Sequence, residues 1–379
     1  MIACVSPANL KAARSPLKIL NHLDLARAGQ VAQVEFHPSD ICNQRCRGCT
    51  YGQDVPSARP KPICFPFANL PLVAALQPRS LVLTGGGEPL LYRDPSTGAR
   101  LQDLVLELRR LLPETKLALL TNGSRDLSAT WTTWVEEFSW VRLSVDAARP
   151  DTYIRMRRVD AFGTVCSNLL WLLRETRISQ INLGFVYCEE NIHEAAEAAR
   201  FFYRFVRASF PDGLGRICID YRPLRQDFGD KHEAFPGAVT QGQIDCVRSD
   251  FDGLAESSEM RGFLEDQTNW EVIGNGNHHA PAGFSRCGYA SLFRLIRADG
   301  SVWPCCMRVN VPEFCLGNVL TGSTPAEIAE KAAQFAGHLR PGCDAENCKL
   351  AVMNRTLEDG LRGDIEPSQE PEIMENPFF

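Results

Sequence analysis

The sequence has no apolar run approaching the ~20 residues that a helical membrane span requires. Its start, Met1 to Ala28, is broken by Lys11, Arg14, Lys18 and Asp24, so it also lacks the apolar core of a signal peptide. A cytoplasmic protein without a membrane partner is expected. An excess of basic charge is absent too: 40 Lys and Arg stand against 46 Asp and Glu, a net charge of -6. Such a balance gives no general attraction to polyphosphates, so nucleic acid is not expected as a partner. Internal repeats and low-complexity tracts are missing. The chain does have 379 residues, 44% of them hydrophobic, enough for one large domain and a smaller one. It also has 15 cysteines. Without a secretion signal these point to metal or thiol chemistry rather than disulfides, because a reducing compartment keeps thiols free.

Apolar runs alternate with helix-period segments between residues 32 and 222. Strands are expected at Val34 to Phe36, Leu81 to Leu83, Leu117 to Leu120, Val141 to Val145, Ile181 to Val186 and Ile217 to Asp220. Between them, Leu101, Leu104, Leu108 and Leu111 share one helical face, and a second helix runs from Glu194 to Ala208 with Phe201, Phe202 and Phe205. Repeated strand-helix-strand units imply right-handed crossovers and a parallel sheet. Six of them suit a partial TIM-like (β/α)6 barrel with its site at the carboxyl ends of the strands. Residues 1–31 read as an N-terminal helical extension, and 32–222 as the barrel. Residues 223–286, polar and rich in Asp, Gly and Asn, read as a linker or substrate-covering segment. Asp299-Gly300 between Leu292 to Ile296 and Val302-Trp303 signals a hairpin, and Thr324-Pro325 a helix start. The acidic, proline-bearing tail 349–379 is expected to be loosely held.

The sharpest motif is Cys42-Asn43-Gln44-Arg45-Cys46-Arg47-Gly48-Cys49. Three thiols in one short loop can ligate three corners of a four-iron cluster, leaving one iron open to bind and reduce a small molecule. A zinc site borrowing a fourth ligand such as His37 is the alternative. Thr84-Gly85-Gly86-Gly87-Glu88-Pro89 follows the second strand; its glycines allow close backbone approach to a ligand and Glu88 offers an acceptor for an ammonium group, while a plain tight turn is the simpler reading. Thr121-Asn122-Gly123 and Ser144-Val145-Asp146 end two further strands, and each also reads as a polar cap of the next helix. Arg149, Arg155, Arg157 and Arg158 follow.

This set, in this order, resembles the signature of radical S-adenosylmethionine (SAM) enzymes. The resemblance implies that Cys42, Cys46 and Cys49 hold a 4Fe-4S cluster with SAM on its open iron. It further implies that Gly86, Gly87 and Glu88 bind the methionine part of SAM, that Asn122, Ser144 and Asp146 lie along the cofactor, and that Arg157, in competition with the other three arginines, pairs with its carboxylate. One departure is Gly48, which stands where these enzymes usually carry an aromatic residue beside adenine; Tyr51 is the substitute candidate.

Further along, Cys287 precedes Gly300 by thirteen positions and Cys305 follows by five. With Leu316-Gly317-Asn318-Val319 and the pair Cys343 and Cys348, this resembles a shortened SPASM or twitch module at 287–348. The resemblance implies one auxiliary 4Fe-4S cluster on Cys287, Cys305, Cys343 and Cys348, with a zinc ribbon as the alternative. The longer cysteine run of a full SPASM domain is missing. Cys306 and Cys315 are candidates for a catalytic thiol or a substitute ligand. The implied activity is reductive SAM cleavage to methionine and a 5'-deoxyadenosyl radical that abstracts hydrogen from substrate. Modification of a ribosomally made peptide or a protein side chain comes first, and tailoring of a sugar, aminocyclitol or nucleoside second; a noncatalytic iron-sulfur or zinc protein is the reading from another class. A flavodoxin- or ferredoxin-type electron donor is implied. Only 31 residues precede the first strand, so a separate leader-binding protein would be needed for a peptide substrate.

Overall fold

A computed structural model describes residues 16–52, 62–128, 133–224, 237–273, 284, 286–337, 343, 348, 350–367 and 378. In chain order its main elements are β1 (Gln33–Phe36), β2 (Ser80–Leu83), α1 (Leu101–Leu111), β3 (Lys116–Thr121), β4 (Phe138–Ser144), α2 (Pro150–Arg157), α3 (Phe162–Glu175), β5 (Gln180–Tyr187), α4 (Ala195–Ser209), β6 (Ile217–Pro223), α5 (Gln241–Leu254), α6 (Ser258–Gln267), β7 (Phe293–Ile296), β8 (Ser301–Trp303), β9 (Gly317–Asn318), α7 (Pro325–Ala336) and α8 (Ala351–Arg362). Among the described residues no helix is long and apolar enough to cross a membrane.

The chain divides into two compact units. One comprises the described residues within 41–61 and 119–276. In it β4 pairs with β5 and β5 with β6, all parallel, with Val141 opposite Ile181 and Ile181 opposite Ile217. These strands carry Val141, Leu143, Ile181, Leu183, Ile217 and Ile219 at 1% exposure or less, which is why each stood out as an apolar run. Helices α3 and α4 cover them with Val165, Leu169, Leu172, Phe202 and Val206.

Residues 241–267 depart from the loop expected there and form α5 and α6. Their apolar face is thin, Val247 and Phe251 on one helix and Met260, Phe263 and Leu264 on the other. The start of α5 is nevertheless marked: the Thr240 hydroxyl accepts from the Gln243 amide in a capping box. The run Gly274 to Asn277 lies outside the described residues.

The second unit comprises the described residues within 16–40, 62–118 and 284–378. Here β1 lies between β2 and β7, parallel to both, and the antiparallel strands β8 and β9 extend from β7. Residues 293–303 thus continue the sheet that holds β1 instead of building a sheet of their own. A strand edge at β1 is thereby paired rather than left open. The hairpin turn is the expected one, with Gly300 at φ +80°. Thr324 caps α7 through the Glu327 amide. The first unit is parallel α/β, as the alternation of strands and helices predicts, and the second adds the antiparallel β8 and β9 to its parallel strands.

The tail also departs from expectation. Residues 351–362 form α8, whose buried face of Ala351, Asn354, Leu357 and Gly360 packs on the 3-10 turn Pro16–His22. A Cβ on Gly360 would lie 2.3 Å from Leu20, so glycine there permits the close approach that a loose-tail reading missed. At the end of the chain, buried Phe378 accepts a hydrogen bond from the ammonium of Lys18, itself 4% exposed. Burial lowers the Lys18 pKa to about 7 from an ordinary 10.5. Between these values the unfolded chain holds a proton that the folded chain lacks, so stability rises with pH from about 7 to about 10.5, and the cost of burying the charge is fully felt below 7. Lys18→Met is therefore expected to stabilise the protein at pH 7 by roughly 2–5 kcal/mol and to flatten this rise. Urea titrations of both proteins at pH 7 and pH 10 check it; a variant less stable than wild type at both pH values contradicts it.

Candidate active site

The cysteine loop is held by the end of a helix. The last carbonyls of α2 have no partners within the helix. Here Met156 O accepts from the Arg47 amide at 2.8 Å and Arg157 O from the Arg45 amide at 3.5 Å. Side chains add to this clamp. Buried Gln44 donates to the Tyr153 hydroxyl at 3.1 Å and accepts from Cys46 Sγ at 3.3 Å. Arg47 pairs with Glu190 at 2.6 Å. Asn122 donates to Asn43 at 2.9 Å, and Asn43 to the Ser124 hydroxyl at 2.9 Å, so the end of β3 pins the loop between Cys42 and Cys46.

Gly48 sits at φ +66°, in a turn closed by the Cys49 amide on Cys46 O at 3.2 Å. An aromatic residue would be strained in that left-handed conformation. The departure at position 48 thus has a local backbone cause. Tyr51 lies in the next turn, closed by the Gly52 amide on Cys49 O at 2.9 Å.

The structure separates the four arginines. Arg149 is paired with Glu197 at 2.5 Å, Arg155 donates to Thr152 at 2.8 Å, and Arg158 forms the exposed left-handed cap of α2. Arg157 alone of the four reaches the cysteine loop. Its guanidinium donates to Cys46 Sγ at 3.4 Å and pairs with Asp146 at 2.6 Å, both partners of this ion pair being 10% exposed. Burial raises the pKa of Asp146 and Arg157 opposes that rise. Burial likewise raises the Cys46 thiol, again against Arg157. A cation at hydrogen-bond distance favours the thiolate, the form that ligates iron. The donor set therefore fits an iron-sulfur cluster. Asp146, at φ +56°, accepts from the Val186 amide at 2.7 Å. Ser144 ends β4 opposite Gly184.

The glycine segment lies in the second unit. Glu88 is 2% exposed and caps the turn Pro89–Leu91 by accepting from the Leu90 amide at 3.0 Å. The Gly87 amide donates to Ser39 O at 3.0 Å. A Cβ on Gly86 would lie 2.3 Å from Asp40 Oδ1. Asp40 is paired with Arg297 at 3.0 Å, both nearly buried; burial raises the Asp40 pKa against the pull of Arg297. Asp40 and Arg297 were not legible as part of this segment, because 257 positions separate them.

Also in the second unit, Cys287 lies within electrostatic reach of Cys343, Cys348 and Cys305, and Cys305 of Cys306. Burial pushes the Cys287 thiol up to about 12 and the Cys305 thiol well above its usual range. Cys343, Cys348 and Cys305 thus each interact electrostatically with Cys287, and binding to iron would hold such thiols deprotonated. Cys306 is half-buried, and Cys315 donates to Gly317 O at 3.4 Å. His37 is fully buried against Glu35 at 2.9 Å. Among the described residues no three His, Cys, Asp or Glu side chains converge as for a single metal ion. A polynuclear cluster takes one thiolate per iron and needs no such convergence.

A family model described as the radical SAM superfamily matches residues 36–202. No curated protein matches the sequence. Among solved structures, SuiB of Streptococcus suis bound to S-adenosylmethionine aligns with a TM-score of 0.57 and 13% identity, over 86% of this chain and 72% of that one. SuiB bound to precursor peptide SuiA gives 0.57 and 12%, over 86% and 71%. The structure described as anSMEcpe with bound AdoMet gives 0.55 and 20%, over 86% and 88%. At such identities the likeness is one of fold, and that fold is the partial barrel.

Proposed function

We propose that this chain, whose residues 36–202 match the radical SAM superfamily model, is a radical SAM enzyme that abstracts hydrogen from a peptide or protein side chain and oxidises or crosslinks it. The observation that carries the SAM half of this reading is the Cys42-Cys46-Cys49 loop clamped on the end of α2 with Arg157 against Cys46. These three thiols would hold a 4Fe-4S cluster, which would supply the electron for reductive cleavage of SAM to methionine and a 5'-deoxyadenosyl radical. Arg157 neutralises thiolate charge and, through Asp146, ties the loop to β4 and β5. Gly86, Gly87 and Glu88 would hold the methionine amino group, and Asn122 fixes the loop from the end of β3. Cys287, Cys305, Cys343 and Cys348 would hold one auxiliary 4Fe-4S cluster, which would accept the electron left on the substrate after hydrogen abstraction. An external flavodoxin- or ferredoxin-type donor would supply the electron spent on SAM cleavage, while the first electron of the substrate's oxidation leaves with the abstracted hydrogen. The peptide reading is supported by SuiB, which has been crystallised with its precursor peptide, and a leader-binding partner would accompany it. Tailoring of a small molecule is the second reading, for which no residue of the site speaks directly.

Mass spectrometry separates oxidation from a thiol-mediated return of hydrogen. The oxidised product should be lighter by two hydrogens and carry no deuterium at the abstracted carbon when formed in D2O. Cys343→Ala should still cleave SAM yet yield no product. A product of unchanged mass in water and one unit heavier in D2O would instead assign Cys306 or Cys315 as a hydrogen donor and overturn the oxidation.

A further inference from the structure

Helix α4 buries one face and leaves the opposite one chemically unusual. Phe202 is 1% exposed in the core, but Phe201 and Phe205 are half-exposed, one helical turn apart, with rings stacked at 5.7 Å and 10°. Arg200 and Arg204, also one turn apart and both exposed, run alongside. These two arginines form a ridge between two clefts. On one side the stacked rings and Glu197 complete a shallow cleft of about 380 Å³. On the other, Tyr203, Arg207 and Met260 belong to a cleft of about 710 Å³ that reaches α6.

Charge accounting on this face leaves an imbalance. The two carboxylates that line the clefts are already engaged: Glu197 with Arg149 at 2.5 Å, and Glu259 with Arg207 and the Tyr203 hydroxyl. Arg200 and Arg204 have no ion pair among the described residues. Guanidinium groups beside a half-exposed aromatic pair suit a partner that brings carboxylates and one apolar side chain together. We propose that this face of α4 docks an acidic polypeptide segment whose aromatic or aliphatic anchor packs on Phe201 and Phe205 while its carboxylates meet Arg200 and Arg204. Nucleic acid is the poorer match: a handful of cations on a chain of net charge -6 falls short of the 6–10 phosphate contacts of an ordinary duplex binder. The inference is independent of the radical chemistry, because it concerns a helix face and not the cysteine loop or its ligands.

Fluorescence anisotropy on the full-length reconstituted protein tests it, with a fluorescein-labelled repeat of Glu-Glu-Phe-Glu as probe. The acidic peptide should bind about tenfold more tightly than its twin with Lys in place of Glu, and binding should weaken as salt rises. Arg200→Glu with Arg204→Glu should lower affinity by about tenfold or more. Phe201→Ala with Phe205→Ala should lower it at high salt as well as low. Formation of 5'-deoxyadenosine should be unchanged in the arginine variant, which also reports that it is folded. Equal binding of the two peptides overturns the proposal, as does unchanged affinity in the charge-reversed protein. Displacement of the probe by a single-stranded oligonucleotide of equal charge, as effective as by unlabelled peptide, overturns it in favour of an unspecific cationic patch.

Discussion

Replacing Cys42, Cys46 and Cys49 together with Ala is expected to reduce anaerobically reconstituted protein from roughly eight irons to about four. The three thiols sit in one loop whose backbone is held from outside, by the carbonyls of Met156 and Arg157 and by Asn122 on Asn43. Their removal should therefore unload one cluster without unfolding the loop. The proposed second group, Cys287, Cys305, Cys343 and Cys348, belongs to the other unit and should retain its iron and its charge-transfer absorption. Elemental analysis with visible spectroscopy reads both quantities. Loss of all iron in the triple variant would show one shared site instead of two, and stoichiometric zinc without charge-transfer absorption would restore the zinc alternative.

The second large effect concerns the pair that backs this loop. Asp146→Ala leaves the Arg157 guanidinium 10% exposed without its carboxylate and removes the acceptor of the Val186 amide. Breaking a buried pair from one side costs about 3–5 kcal/mol, because the remaining charge is desolvated and uncompensated. Replacing both members with Leu should cost distinctly less than Asp146→Ala, since no buried charge is then stranded. Denaturant titrations of the single and double variants measure this difference. Equal losses below about 1 kcal/mol would mean that the pair behaves as a solvated surface contact.

Much of this arrangement was legible in the sequence, for identifiable reasons. Strands β1 and β2 are buried nearly throughout and β5 and β6 mostly so, as parallel strands covered on both faces are, and β8 begins after Asp299-Gly300 because Gly300 needs a positive φ. The cysteine and glycine motifs are short and contiguous, so chemistry and position coincide. Four features were hidden. Helices α5 and α6 bury too few side chains to show a period against their Asp, Gly and Ser background. Helix α8 turns Gly360, a residue that usually signals weakness in a helix, into the point of contact with Leu20. The ion pairs Arg157 with Asp146 and Arg297 with Asp40 join residues whose proximity only the folded chain creates. Exposure on α4 divides Phe201 and Phe205 from Phe202, although an aromatic run alone gives all three the same weight.

Anaerobic incubation of the reconstituted protein with SAM and a chemical reductant, followed by chromatography for 5'-deoxyadenosine, tests the central claim most directly. Wild-type protein should form 5'-deoxyadenosine and methionine in equal amounts, and the Cys42, Cys46 and Cys49 triple variant should form neither while keeping its second cluster. Absence of 5'-deoxyadenosine from wild-type protein carrying its full complement of iron, or its undiminished formation by the triple variant, would contradict the account.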